Sequence, residues 1–201
     1  LGREDLVIGQ YGASTEDPDR FPAYVDDPTV ADDSITPTFA AARLSVENPR
    51  WQGVPFLITA GKGLDARMTE IRLQFRDVPG NMFRTTGGCP EANQMVIRVQ
   101  PDEAIYLSLN NKVPGLGMTL QPRNLDLRYE VAFGREIPDA YESLLLDVIQ
   151  GDKSLFIRGD ELQAAWDVFT PVLHQLDRDR PKPEPYAFGS RGPAGLDSEF
   201  S

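Results

Sequence analysis

Cysteine and histidine are nearly missing from this chain: Cys89 and His174 stand alone among 201 residues. A single cysteine excludes a disulfide framework and a cysteine-rich metal site, and makes a reducing, cytoplasmic setting the default. A single histidine excludes a multi-histidine metal site within the chain. His174 follows Leu173 on a helical pattern and reads as a packed surface residue, not a catalytic base. Positive charge is also scarce. Lys plus Arg number 20 against 31 Asp plus Glu, a net charge of −11, which disfavours nucleic acid or an anionic membrane as a partner. No apolar run approaches the roughly 20 residues that span a bilayer. The opening "LGREDLVIGQYGAS" lacks a basic region followed by an apolar stretch, so no signal peptide is expected. Missing too are a glycine-rich phosphate loop opening a β-α unit, a P-loop and a G-x-S-x-G elbow. "GLGM" (115–118) sits between "KVP" and a strand pattern and reads as a turn. Nothing here runs chemistry unaided.

What is present is the composition of an ordinary soluble globular chain, 40% hydrophobic and 25% charged. Residues 1–37 are acidic and broken by Pro18, Pro22, Pro28 and Pro37, which predicts an ordered but irregular surface segment leading into a domain over 38–201. From residue 38 the pattern changes. "TFAAARLSVEN", "GVPFLITA", "TEIRLQFRDV", "NQMVIRVQP", "AIYLSLNNK" and "LDLRYEVAF" are short, β-branched and aromatic, and separated by Gly, Pro, Asn or Asp. Ile71, Leu73 and Phe75 alternate with Arg72, Gln74 and Arg76, the period of a half-buried strand. Val96 and Arg98 fall on one face, and Met95, Ile97 and Val99 on the other. With no helical pattern between them, these strands predict antiparallel neighbours.

Helices follow. "PDAYESLLLDVIQGD" has Pro138 near its first turn, a stripe of Tyr141, Leu144, Leu145 and Val148, and Gly151 as the stop. "GDELQAAWDVFTPVLHQLDRD" has Asp160 as candidate N-cap, a stripe of Leu162, Ala165, Trp166, Phe169, Leu173 and Leu176, and Pro171 to kink it. The Pro/Gly-rich tail "RPKPEPYAFGSRGPAG" is read as extended and packed across the surface by Tyr186 and Phe188. Strands first and helices after predict an α+β fold, a large mostly antiparallel sheet with helices packed on one face.

Two stretches carry candidate binding chemistry. In "GKGLDARMTEIRLQF", Lys62 and Arg67 flank a glycine-rich break. Five fully extended residues cover about 16–18 Å, so the two cations share one small ligand only if the chain turns between them, as Gly61, Gly63 and Asp65 allow. An anion site for a phosphate or sugar phosphate is one reading, and a solvated hairpin the simpler one. In "VIRVQPDEAIYL", Arg98 and Gln100 lie on one face of a strand ending at Pro101. They suit a polar ligand or a polar subunit interface equally.

Taken together, "GQYG", "YVDDPTV", "TFAAARLSVENPRWQGVPF", "GKGLDARMTEIRLQF", "VIRVQPDEAIYL", "PDAYESLLLDV", "DELQAAWDVFTPVLHQ" and "YAFGSRGP" resemble, in order, the C-terminal β+α domain of the glucose-6-phosphate dehydrogenases. "RWQGVPF" followed by "GK" is the most specific of these runs, and "TPVLHQ" with "YAFGSRGP" is closer to the eukaryotic forms. The resemblance implies oxidation of glucose 6-phosphate to 6-phosphoglucono-lactone with NADP as hydride acceptor. It implies that Lys62 contacts the sugar-phosphate region, that Arg67 helps hold the substrate and that Gln100 hydrogen-bonds it. It implies a homodimer or tetramer assembled through the sheet. The family's N-terminal dinucleotide-binding domain and its segment with the catalytic histidine are not in this sequence. Some members hold a structural NADP, and Arg72, Arg98, Tyr106, Asp126 and Arg191 match its positions. Thr59 and Met68, however, stand where cations are expected, and the chain stops at Ser201 before the aromatic C-terminal contacts, so structural NADP is expected to bind weakly or not at all. The competing reading is a non-catalytic dimerisation domain in which the Lys62 turn is incidental.

Overall fold

The computed structural model describes residues 2–77, 80, 83, 92–134, 140–194 and 196; Cys89 and Pro138 lie outside them. The chain divides into two compact units, Leu1–Ala66 with Ser154–Ser201, and Arg67–Lys153. The boundary expected at residue 38 falls inside the first.

The first unit is built on β1 (Leu6–Ser14), β2 (Phe39–Leu44), β3 (Phe56–Gly61) and β8 (Glu184–Phe188), in the order β3-β2-β1-β8. β1–β2 and β2–β3 are antiparallel, while β8 runs parallel to β1. This corrects the expectation of an irregular opening segment: nine of its residues form an inner strand whose first four are buried. "LVI" supplies only three strand-forming residues before Gly9, and pairing on both edges supplies the rest of the strand's stability. Both faces of this sheet are covered at the inner strands β1 and β2, while Leu57 and Ile58 of β3 stay exposed. Leu6, Ile8 and Ala42 pack with Val172 and Leu176 of α3 (Gly159–Asp179) on one side. Val7, Phe39, Ala41 and Tyr186 form a second cluster with Tyr11, Leu64 and Leu196. Each aliphatic side chain taken fully from water stabilises by about 1.5–3 kcal/mol, so these clusters outweigh local propensity. The tail expected to lie on the surface is thus a strand, with Tyr186 inside.

The second unit is the meander β4 (Thr69–Gln74), β5 (Gln94–Gln100), β6 (Ala104–Lys112) and β7 (Leu120–Arg128), antiparallel throughout. "LDLRYEVAF" was expected to be strand throughout, but the strand stops at Arg128. Tyr129–Phe133 makes a short helix, α1, closed by Gly134 in the left-handed conformation with its N–H on Glu130 O at 2.9 Å. α2 (Ala140–Gln150) leaves Tyr141, Leu145, Val148 and Ile149 exposed. The α+β class and the mostly antiparallel pairing are as expected, with the strands shared between two four-stranded sheets.

α3 begins two residues earlier than the expected N-cap implies. Arg158 holds the N-cap position without a side-chain cap bond, and Asp160 lies in the first turn, paired with Arg158 at 2.8 Å. A carboxylate there suits the positive end of the helix dipole equally well. Pro171 lies inside the helix, which runs 21 residues around it, and His174 is exposed.

Candidate functional site

In the first unit the candidate site is the turn that leaves β3. Lys62 N–H donates to Thr38 O at 2.9 Å, extending the β2–β3 ladder by one residue. Tyr186 Oη donates to Lys62 O at 2.7 Å. Gly189 N–H then donates to Gly63 O at 2.7 Å, and Asp65 N–H to Ser190 O at 2.9 Å, so the segment after β8 is stitched to the turn on both sides of Leu64. Gly63 has φ +59°, and a Cβ there would sit 2.8 Å from the Phe188 ring. Glycine is therefore required twice over, by conformation and by space. These contacts use backbone groups and leave the Lys62 ammonium outward and exposed. Among the described residues it makes no ion pair, whereas Arg191 beyond β8 is paired with Asp65 at 3.5 Å.

In the second unit Arg67 lies just ahead of β4, exposed and likewise without an ion pair among the described residues. Gln100 ends β5 opposite Thr69, whose Oγ1 accepts from its side-chain amide at 3.5 Å, at the edge of a hydrogen bond. Register brings the other predicted residues together. Arg72, Val96, Tyr106 and Asp126 form one cross-strand row, and Glu70, Arg98, Ala104 and Arg128 the next, all on one face of the sheet. Arg191 belongs to the first unit.

Glu70 was not singled out in the sequence, yet it organises this face. Its side chain is 4% exposed and receives Arg72 and Arg98, at 2.6 and 2.8 Å. Burial pushes its carboxyl upward, but the hydrogen bonds from Arg98 and Arg72 prevail and leave it below the usual carboxylate range. Asp126 pairs with Arg128 in the same way at 2.8 Å. Strand alternation puts Glu70 beside Arg72 and offers a hint of the pair; only cross-strand register adds Arg98. Glu70→Gln is expected to destabilise the protein by about 1–2 kcal/mol at neutral pH, a figure discounted because both arginines reach water. A carboxylate with a depressed folded pKa stabilises above its unfolded pKa, and that stability is lost as pH falls through the folded value. The gap between wild type and Glu70→Gln in urea unfolding should therefore close under acid.

The sheet's other face is aliphatic. Ile71, Ile97, Ile105 and Leu127 form one row, and Leu73, Met95, Leu107 and Leu125 the next. Leu125 is 65% exposed, and Ile71, Leu73 and Leu127 are exposed as well.

With this geometry in place, comparison with known proteins decides the family. The model of the C-terminal domain of glucose-6-phosphate dehydrogenase matches residues 2–200. The chain belongs to the glucose-6-phosphate dehydrogenase family. It is 56% identical over 198 residues to a chloroplastic glucose-6-phosphate 1-dehydrogenase of Nicotiana tabacum, covering 97% of this chain and 33% of that protein. It is 50% identical over 197 residues to a cytoplasmic isoform of Solanum tuberosum, covering 96% and 36%. A solved glucose-6-phosphate dehydrogenase in complex with its substrate glucose 6-phosphate is 45% identical, with a TM-score of 0.87 over 99% of this chain and 40% of that one. The Mycobacterium avium enzyme is 32% identical, with a TM-score of 0.80 over 100% and 39%. The chain thus spans about a third of the length of the curated glucose-6-phosphate dehydrogenases it matches.

The family uses NADP, and a structural nucleotide would need free cations. On the Glu70 face Arg72, Arg98 and Arg128 are already paired with carboxylates, and Thr59 and Met68 carry no charge.

Proposed function

We propose that this chain is the C-terminal portion of an NADP-dependent glucose-6-phosphate dehydrogenase, contributing substrate-holding residues and an assembly surface. The observation that carries the reading is the family match together with two cations, Lys62 and Arg67, that no described carboxylate engages. Other described cations, such as Arg20, Arg50 and Lys182, also lack an ion pair, so what distinguishes these two is their place either side of Gly63 and Asp65. Cations held out unpaired, one of them on a turn fixed through its backbone, suit an anionic ligand. In this reading Lys62 and Arg67 hold the sugar phosphate and Gln100 hydrogen-bonds the sugar, orienting it for loss of hydride. NADP accepts that hydride when bound. The base that takes the hydroxyl proton is supplied outside this sequence, as is the dinucleotide-binding domain. The net acidity of the chain does not oppose a dianionic ligand, because the nearest charges dominate what it feels.

Structural NADP is proposed to bind weakly or not at all, since the matching positions Arg72 and Arg98 are committed to Glu70. The sheet's aliphatic face is proposed to join two copies as a homodimer, from which a tetramer could be built. Relatives are named as chloroplastic and as cytoplasmic; the single cysteine fits a reducing compartment, and the cytoplasm is the simplest proposal. Among the described residues no helix is long and apolar enough to cross a membrane.

In the full-length enzyme, Lys62→Ala and Arg67→Ala are each expected to lower kcat/KM for glucose 6-phosphate by the equivalent of about 1.5–3 kcal/mol, the worth of a charge-assisted contact. KM for NADP should hardly change. The isolated 201-residue chain should produce no NADPH. Normal sugar-phosphate kinetics in both mutants would leave the dimerisation-only reading in place.

A further inference from the structure

We propose that Tyr186 is a positioning residue for Lys62, fixing the backbone from which the substrate-facing ammonium projects; this rests on the reading of Lys62 as a sugar-phosphate contact. The argument begins with hydrogen bonds that point one way. Tyr11 N–H donates to Thr38 Oγ1 at 3.0 Å. Tyr186 Oη has a single proton, and Lys62 O at 2.7 Å is a nearer acceptor for it than Thr38 O at 3.3 Å; with that proton used, the Thr38 hydroxyl is the donor in its 3.0 Å contact with Tyr186 Oη. Lys62 N–H returns to Thr38 O at 2.9 Å. Both backbone polar groups of Lys62 are therefore gripped, and each hydroxyl in the chain both accepts and donates. Successive bonds of this kind polarise one another.

The anchor is rigid. Tyr186 is 5% exposed, and its ring stands edge-on to Phe39 at 5.6 Å and to Tyr11 at 6.3 Å. Burial pushes its phenol above the usual range, with the Thr38 bond offsetting part of this, so the donor proton is retained at neutral pH. An outward lysine has four rotatable side-chain bonds. If its Cα also wandered, each substrate would have to order the turn on binding; a turn held in place beforehand spares that cost. Tyr186 thus acts on substrate affinity through the Lys62 main chain, without touching the substrate.

The test is steady-state kinetics of the full-length enzyme carrying Tyr186→Phe, which keeps the ring and removes the donor. KM for glucose 6-phosphate should rise about 3- to 10-fold, the range set by one lost hydrogen bond, with kcat and KM for NADP little changed. In a Lys62→Ala background the same substitution should add almost nothing. Thr38→Val should reproduce the effect and Thr38→Ser should not, which keeps the test open should Tyr186→Phe fail to fold. A normal KM in Tyr186→Phe or Thr38→Val, with a raised one in Lys62→Ala, overturns the positioning role and leaves the Lys62 site standing. Equal KM increases with and without Lys62 would mark Tyr186 as merely structural and also overturn it. A normal KM in Lys62→Ala would remove the site itself, and the inference with it.

Discussion

Phe39→Ala is expected to destabilise the protein by about 3–5 kcal/mol, at the upper end for a truncated core aromatic. Phe39 is 2% exposed and opens β2, paired with Gly9 on β1 and Gly61 on β3. Its ring occupies space that glycines leave vacant. A Cβ on Gly61 would lie 2.7 Å from the ring, and one on Gly192 also 2.7 Å. The cost of such a truncation depends on whether the surroundings can collapse into the void. Here one wall, Gly61, is backbone held in the β2–β3 ladder and the other, Gly192, is a glycine beyond β8, and neither has a side chain to swing inward, so most of the cavity should persist. The ring also braces Tyr186, so sugar-phosphate affinity in the full-length enzyme should fall along with stability. Urea unfolding of Phe39→Ala against wild type measures the first effect. A loss under about 1.5 kcal/mol would mean that the sheet closes over the gap.

Ile97→Asp and Leu107→Asp are expected to dissociate the assembled enzyme, each weakening it by about 3–5 kcal/mol. Both side chains lie in the middle strands of the aliphatic face, within rows of four apolar residues. If two copies bury this face, a carboxylate placed at its centre loses its water and gains no partner. Around a twofold axis the same residue enters from both copies, which adds like-charge repulsion. Neither substitution touches Lys62, Arg67 or Gln100, so loss of assembly should be separable from loss of substrate contacts. Sedimentation at micromolar concentration should show the wild type associated and both mutants shifted toward monomer. A monomeric wild type, or mutants that stay associated, would move the interface elsewhere.

Legibility in the sequence followed the range of the interactions involved. β4, β5 and β6 were readable because each carries its own period-two pattern between Gly, Pro or Asn breaks, and the alternation of Val96 and Arg98 with Ile97 and Val99 matches the faces observed. α3 was readable from its apolar stripe. β1 was not, since Gly9 and Gly12 interrupt a run of three apolar residues, and the segment becomes a strand only where β2 and β8 meet it on either edge. β8 was hidden by Pro181, Pro183 and Pro185, which read as surface tail. The reach of β7 was overstated because "RYEVAF" is β-prone locally, yet Gly134 ends a helical turn there.

The candidate site divides along the same line. The sequence alone determined the residue chemistry: Lys62 and Arg67 either side of a glycine break, arginines alternating with apolar residues on β4 and β5, and no histidine or cysteine set to do catalysis. It also carried the family, because runs such as "RWQGVPF" and "YAFGSRGP" are long and ordered. The tertiary structure decided which cations are free. Arg72 and Arg98 look as available as Lys62 in the sequence, but antiparallel register lays Arg98 beside Glu70 and ties both arginines to one buried carboxylate. Tyr186, 124 residues beyond Lys62, reaches its carbonyl only because a parallel pairing carries β8 alongside β1. A hydrogen bond forms or fails within a few tenths of an ångström. Such distances between remote segments are set by how sheets pair and pack, and no local pattern of residues encodes them.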